Sequence, residues 1–219
     1  MTGHADGTRQ REPKPEPVER LAGTKLDIAQ AALDTLKKRG FAGASARAIA
    51  SAGGFNQALI FYHFGTVQQA LLAALDLVSA RRMQAYGEPL ERARTMPELA
   101  RLARRIFTED LENGYVSVLG EMIAGAVSDA QLGGEVASRL RPWMEMVADK
   151  LRALMGGSPL GSMLSAPDLA FAIVALYVGV DMLGSLDGEH ARAESLLDLA
   201  ERCAPLIDAL LPTVAAVQP

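Results

Sequence analysis

Cysteine is almost missing from the chain: Cys203 is the only one in 219 residues, which excludes an intrachain disulfide and a zinc site built from paired cysteines. Histidine is nearly as scarce. His4, His63 and His190 stand far apart, with no second histidine or carboxylate at metal-ligand spacing. A Glu-x-x-His pair of the di-iron kind, a Gly-rich phosphate loop and a nucleophile elbow are all lacking. No catalytic residue, metal or cofactor is therefore expected. Aromatics make up only 5% of the residues. Alternating apolar runs are missing too, and with them the usual evidence for strands. The most apolar stretch, Leu169 to Val180, has 12 residues between Asp168 and Asp181, short of the roughly 20 that a membrane span needs. A helix buried on both sides is expected there. The first twenty residues hold no apolar core of the kind a signal peptide carries. An all-α protein of the cytoplasm is the simplest reading.

What is present is enough for a sizeable core, with 49% hydrophobic and 22% charged residues, arranged as one domain or as a small domain joined to a larger one. The net charge of -4 is unevenly divided: residues 1–64 carry nine Lys or Arg against six Asp or Glu, and the remainder 13 against 20. Binding to nucleic acid needs a local basic face rather than a basic protein, so the asymmetry favours an interaction at the N-terminal end.

Residues 45–64, SARAIASAGGFNQALIFYHF, read as a short helix, a glycine turn and a second short helix. Ser45 suits an N-cap, Gly53-Gly54 a sharp C-terminal turn, and Asn56 the next N-cap. Ala46, Ile49 and Ala50 share a stripe, as do Leu59 or Ile60 with Phe64. Arg47, Gln57, Ala58 and Phe61 are left facing outward. Arginine and glutamine pair bidentately with guanine and adenine edges, and a small or aromatic apolar group meets a thymine methyl. Tyr62, His63 and Thr66 are placed to take phosphate oxygens, and Lys25, a cation near the start of its helix, gains nothing from the helix dipole and fits a phosphate contact. This is the helix-turn-helix arrangement.

The segment from about Lys25 to Leu72 resembles the DNA-binding domain of the TetR family of bacterial transcriptional regulators. The likeness rests on an apolar first helix (Ile28, Ala31, Ala32, Leu36), Gly40-Phe41, Ser45 with Ile49-Ala50, Gly54, the block Ile60-Phe61-Tyr62-His63-Phe64, and Leu71-Leu72. The chain departs from the family pattern at Phe61, where tyrosine is usual, at Val67, where lysine is frequent, and at Phe55, which replaces a small aliphatic. The resemblance implies an all-α fold in which an N-terminal three-helix helix-turn-helix domain is joined by a long helix to a larger helical ligand-binding and dimerisation domain. It also implies a homodimer formed through the last two long helices, double-stranded operator DNA and a small-molecule effector as partners, and a DNA contact set of Ser45, Arg47, Asn56, Gln57, Ala58, Phe61, Tyr62, His63, Thr66 and Lys25.

Taken in order, residues 1–19 form a charged, proline-punctuated tail, 20–65 the reading head, 66–213 the second domain and 214–219 a short tail. The first helix should stop at Gly40. A fourth helix should begin at Thr66 and break at Gly87 and Pro89, and Pro142 should kink or restart the helix that carries Trp143. The last helix should run from about Glu189 to Leu211. Residues able to line a ligand cavity are Tyr86, Phe107, Leu111, Met122, Trp143, Met146, Val147, Phe171, Tyr177 and Asp181, mostly apolar with a few polar tips. A carboxylate interrupting an apolar helix, as Asp181 does, has a partner, faces water or meets a ligand. Two functions are consistent with all this: a ligand-responsive repressor released from a palindromic operator by a mostly apolar molecule, or a helical dimeric small-molecule or protein-binding module of the same ancestry with little DNA affinity.

Overall fold

The computed structural model describes residues 17–187 and 191–211. Most of the first expected tail, the tail at 214–219, and His4, Glu189 and His190 lie outside these residues. Among the described residues there are ten helices and no strand. The first three are α1 (Pro17–Gly43), α2 (Ala46–Gly53) and α3 (Ala58–Phe64), and α4 (Val67–Arg92) leads out of them. The second part is built by α5 (Met96–Glu112), α6 (Tyr115–Ala126), α7 (Ala130–Met155), the short α8 (Pro159–Met163), α9 (Ala166–Asp187) and α10 (Ala191–Ala209).

Helix α1 begins at Pro17, inside the segment expected to be a tail, because proline is well suited to a first helical turn where its missing N–H costs nothing. It breaks at Gly40, whose φ of 65° is the left-handed conformation that glycine adopts freely. Phe41 follows the break and lies against Gly125 of α6, in space that a Cβ on Gly125 would occupy. The Phe41 N–H donates to Glu121 Oε2 on α6 at 2.7 Å. Ile28, Leu33 and Leu36 of α1 are fully buried with Ile49, Ile60, Leu71 and Leu72, and the same core runs on through Val118 and Met122 of α6 to Leu132 and Val136 of α7. The head and the second part thus share one core.

Two expected breaks do not occur. Helix α4 passes Gly87 and Pro89 and ends at Arg92. Its last turn is held from α7: Lys150 Nζ donates to the carbonyl oxygens of Glu91 and Ala93 at 2.9 and 3.0 Å, replacing bonds that the helix end cannot make. Helix α7 is continuous through Pro142, which is exposed, so the carbonyl it leaves without an intrahelical partner is on the solvent side.

Helix α9 also departs from expectation. It is 22 residues long rather than 12, and Phe171, Leu176 and Leu183 on it are exposed, so it is covered on one side only. Its stretch Ala166–Gly184 has mean hydropathy 1.7, long and apolar enough to cross a bilayer by length and composition. Asp181, still inside that stretch, is buried with its carboxylate 3.4 Å from the Ser117 hydroxyl of α6. Helix α10 is pinned to α5 by Arg104, which reaches Glu194 and Glu201 at 2.7 Å and also Asp198. Asp208 accepts from the Met96 N–H at the start of α5 at 2.9 Å. The other side of α10 leaves Leu199 and Leu206 exposed, and Leu210 just beyond its end is exposed too.

Candidate nucleic-acid interface

Three short polar side chains set the head. Ser45 Oγ accepts from the Ala48 N–H at 3.2 Å and opens α2, Asn56 Oδ1 accepts from the Ala58 N–H at 2.9 Å and opens α3, and Thr66 Oγ1 accepts from the Gln69 N–H at 3.1 Å and opens α4. Gly54, at φ 67°, closes α2. The Phe55 ring then folds back over Gly53, where a Cβ would collide with it, so the departure at position 55 is absorbed by the glycine beside it. Ile60 is fully buried and anchors α3, and α3 and α4 meet at 71°.

Anchoring α3 by one face leaves the other open. Arg47, Gln57 and Ala58 are exposed, Phe61 is 50% exposed and Tyr62 75%. His63 is half-buried and edge-on to Tyr62, with ring centroids 4.9 Å apart. Lys25 stands exposed on α1. All ten residues named for this role thus lie in the head or at its junction with α4. Since Ser45, Asn56 and Thr66 have spent an acceptor on capping, what they have left to offer is an O–H or an amide N–H, the sign of group that a phosphate oxygen takes. Lys37 is turned away from this face, its Nζ 4.7 Å over the Tyr115 ring of α6.

Farther along α4 the side chains meet a polar cluster. Arg82 pairs with Asp110 of α5 at 2.8 Å, and Tyr177 of α9 donates its O–H to the same carboxylate at 2.7 Å. Burial pushes the Asp110 carboxyl above the usual range, against the opposing pull of Arg82 and the Tyr177 hydroxyl, and burial also holds the Tyr177 phenol neutral. The Arg82 guanidinium stacks near Trp143 and Tyr177, at 4.7 and 5.3 Å from the ring centroids, and its Nε is buried without an acceptor. The Trp143 N–H donates to Ser79 Oγ at 2.9 Å, and Arg139 of α7 pairs with Asp76 of α4 at 2.8 Å. Between α4, α6 and α7, Ser79, Arg82, Arg139 and Trp143 line a cavity of about 40 Å³ together with Leu75, Leu119 and Leu140.

Residues 28–75 match the family described as bacterial regulatory proteins, tetR family. Over 195 residues the chain is 26% identical to an uncharacterized HTH-type transcriptional regulator of Mycobacterium bovis, across 88% of this chain and 95% of that one. Its likeness to an HTH-type regulator of Mycobacterium tuberculosis is the same, 26% over the same shares. Residues 28–75 are thus a TetR-type helix-turn-helix segment, in a chain similar over most of its length to HTH-type transcriptional regulators. Among solved structures, a TetR-family regulator from Cytophaga hutchinsonii has TM-score 0.68 at 14% identity, over 89% of this chain and 98% of the other. The fatty acid degradation regulator FadR from Bacillus halodurans has TM-score 0.67 at 16% identity, over 88% and 96%. At such identities the structural likeness speaks for the fold alone. The family is not one of enzymes, and the matched segment is the one that builds the head.

The residues named for a ligand cavity are scattered rather than gathered in one place. Trp143 lines the cavity between α4 and α7. Tyr177, Phe107 and Tyr86 gather around Asp110: Phe107 is edge-on to Tyr177 at 5.7 Å, and Tyr86 donates to Glu109 at 2.5 Å. Burial raises the Tyr86 phenol, while hydrogen bonds from Arg105 and from Tyr86 lower the Glu109 carboxyl. Asp181 lies apart, near Ser117. Met122 is in the shared core, Val147 packs on the smaller core of α5, α7 and α9, Leu111 and Met146 are half-buried, and Phe171 stands on the open face of α9. Sequence reasoning missed Asp110, Arg82, Ser79 and Arg139. The signal for two of them was present: Asp110 continues the apolar stripe Leu99, Leu102, Ile106, Phe107 of α5, and Arg82 continues Leu71, Leu75, Val78 of α4.

Proposed function

We propose that this regulator is a repressor of the cytoplasm that binds a palindromic operator as a homodimer and is released by a small, mostly apolar molecule bound in its second domain. The carrying observation is the open face of α3, where Gln57, Ala58, Phe61 and Tyr62 are presented by a helix anchored through Ile60. In this reading residues 20–65 are the reading head and 66–213 the effector and dimerisation domain. Arg47, Gln57, Ala58 and Phe61 read base edges, while Ser45, Asn56, Tyr62, His63, Thr66 and Lys25 hold the backbone. The exposed apolar side chains of α9 and α10 support pairing of two copies, which sets two heads on two half-sites. Helix α4 supports the response, since it starts at the Thr66 cap beside α3 and carries Ser79 and Arg82 at the cavity. A shift of this one rigid element changes the distance between heads.

A second reading is favoured by the composition of α3, which holds no Lys or Arg, and by Val67, which packs on the core where a cation would reach out. With fewer phosphate contacts the same dimer would be a small-molecule or protein-binding module with little DNA affinity. Selection of random double-stranded DNA by the purified protein, read by sequencing and followed by a salt titration of the selected fragment, separates the two. The repressor reading expects a palindrome and an affinity that falls steeply with salt. A folded dimer that enriches no sequence sinks it.

A further inference from the structure

The polar groups around the cavity between α4 and α7 are of one kind. Ser79, Arg82, Tyr115, Arg139 and Trp143 line it, all of them bearers of N–H or O–H, and no carboxylate lines it. Asp110, Asp76 and Glu135 bind the two guanidinium groups from outside the cavity. The Trp143 N–H is already taken by Ser79, whereas Arg82 Nε is buried with no acceptor, on a guanidinium whose NH2 group is engaged by Asp110. A buried donor without a partner is costly, and a molecule supplying an oxygen would recover that cost. Leucine and valine form the rest of the wall.

We propose that this cavity takes the oxygen-bearing end of a compact apolar molecule whose polar group is a hydrogen-bond acceptor, a carbonyl or a carboxylate, with Arg82 Nε as its donor, and that it rejects amines. The inference rests on the ligand-responsive reading and names the ligand class for it. The present space of about 40 Å³ holds a headgroup only, against the several hundred Å³ that whole small molecules occupy. The apolar body therefore enters when α4 and α7 part at the Trp143–Ser79 and Arg139–Asp76 contacts. Its preference for the parted arrangement is what drives the shift of α4.

Trp143 is the only tryptophan in the chain and lines the cavity, so its emission reports occupancy directly. Full-length protein is titrated with octanoate, 2-octanone and octylamine, three probes of one chain length. A saturable change with octanoate or with 2-octanone, and none with octylamine, is the expected result. Octanoate alone identifies an anionic ligand class and 2-octanone alone a neutral carbonyl. Arg82→Lys keeps a cation for Asp110 but has no Nε–H, and should weaken the acceptor probes by roughly tenfold or more. Leu119→Phe fills the cavity from α6 with every donor in place and should block them. Octylamine binding as tightly as the others, no probe altering the emission of the native protein, or unchanged affinity in Arg82→Lys would each overturn the proposal. Acceptor probes that bind without releasing selected DNA would instead overturn the ligand-responsive reading and leave the assignment of the cavity standing.

Discussion

Asp110 is 1% exposed and held by Arg82 and Tyr177, yet burial raises its pKa above that of an ordinary carboxyl. A raised folded-state pKa means that the folded protein binds the proton more tightly than the unfolded chain does. The stability linked to this proton is fully present below the unfolded value and is lost as pH rises through the folded one. Compared with Asp110→Asn, which differs by a constant offset, the native protein should thus lose stability as pH rises from about 4, the ordinary carboxyl value, through the raised folded one. Thermal melts of the two across that range check it, and parallel curves would refute the shift. Asp110→Ala leaves Arg82 buried without its counter-charge and should cost about 3–5 kcal/mol, most of it recovered in Arg82→Met/Asp110→Leu. At the head the roles divide differently. Arg47→Ala or Gln57→Ala should relax discrimination between operator variants, each lost base contact being worth about 1–3 kcal/mol, whereas His63→Ala should weaken all sequences alike. Binding titrations against single-base variants decide, and equal losses for all three on every sequence would refute the division. The outward residues of the head were legible because a seven-residue helix with one buried isoleucine has little choice of face. Among the cavity donors Arg82 left a signal, its place in the apolar stripe of α4, whereas Arg139 reads as a solvent-facing charge until the helices that bury it are in place.

The starts of the head's helices and of α4 were legible because caps are local: Ser45, Asn56 and Thr66 each satisfy an N–H two or three residues ahead. The course of α4 past Pro89 was not, since the group that completes its last turn, Lys150, comes from 57 to 59 residues away along the chain. The packing of Phe41 into α6 is of the same non-local kind. It joins head to second domain with one ring seated at Gly125 and one N–H on Glu121. Gly125→Ala puts a Cβ where the ring lies and should destabilise by about 1–3 kcal/mol, the usual cost of overpacking. Hydrogen exchange should show the break at Gly40 opening more readily. Phe41→Leu in the same chain makes room again and should restore much of the protection. If Gly125→Ala leaves both stability and exchange unchanged, the ring is not the coupling element.

In the single chain α9, expected to be buried on both sides, is covered on one only, because a sequence does not say what covers an apolar face. Phe171 is 66% and Leu183 68% exposed on α9, and Leu206 is exposed on α10. So many large apolar side chains exposed on two neighbouring helices point to a partner of protein or lipid. Three observations favour a second copy over a bilayer. Asp181 is buried inside the apolar stretch, α10 beside it carries Glu194, Asp198 and Glu201 engaged by Arg104, and α6 and α7 pack on α9, α6 with a polar contact from Ser117 to Asp181. Stable protein pairs bury roughly 1,200–2,000 Å² in total, within reach of two long helices from each copy. Leu183→Glu places a charge on that face without touching either core and should turn the dimer into a folded monomer, seen as a halved mass in sedimentation with unchanged helical content. Because a palindrome is held by two heads at once, the monomer should lose most of its operator affinity while keeping the weak affinity of one head for a half-site. A Leu183→Glu protein that sediments as a dimer would move the interface elsewhere. One that is monomeric yet binds the full operator undiminished would remove the dimer from the mechanism.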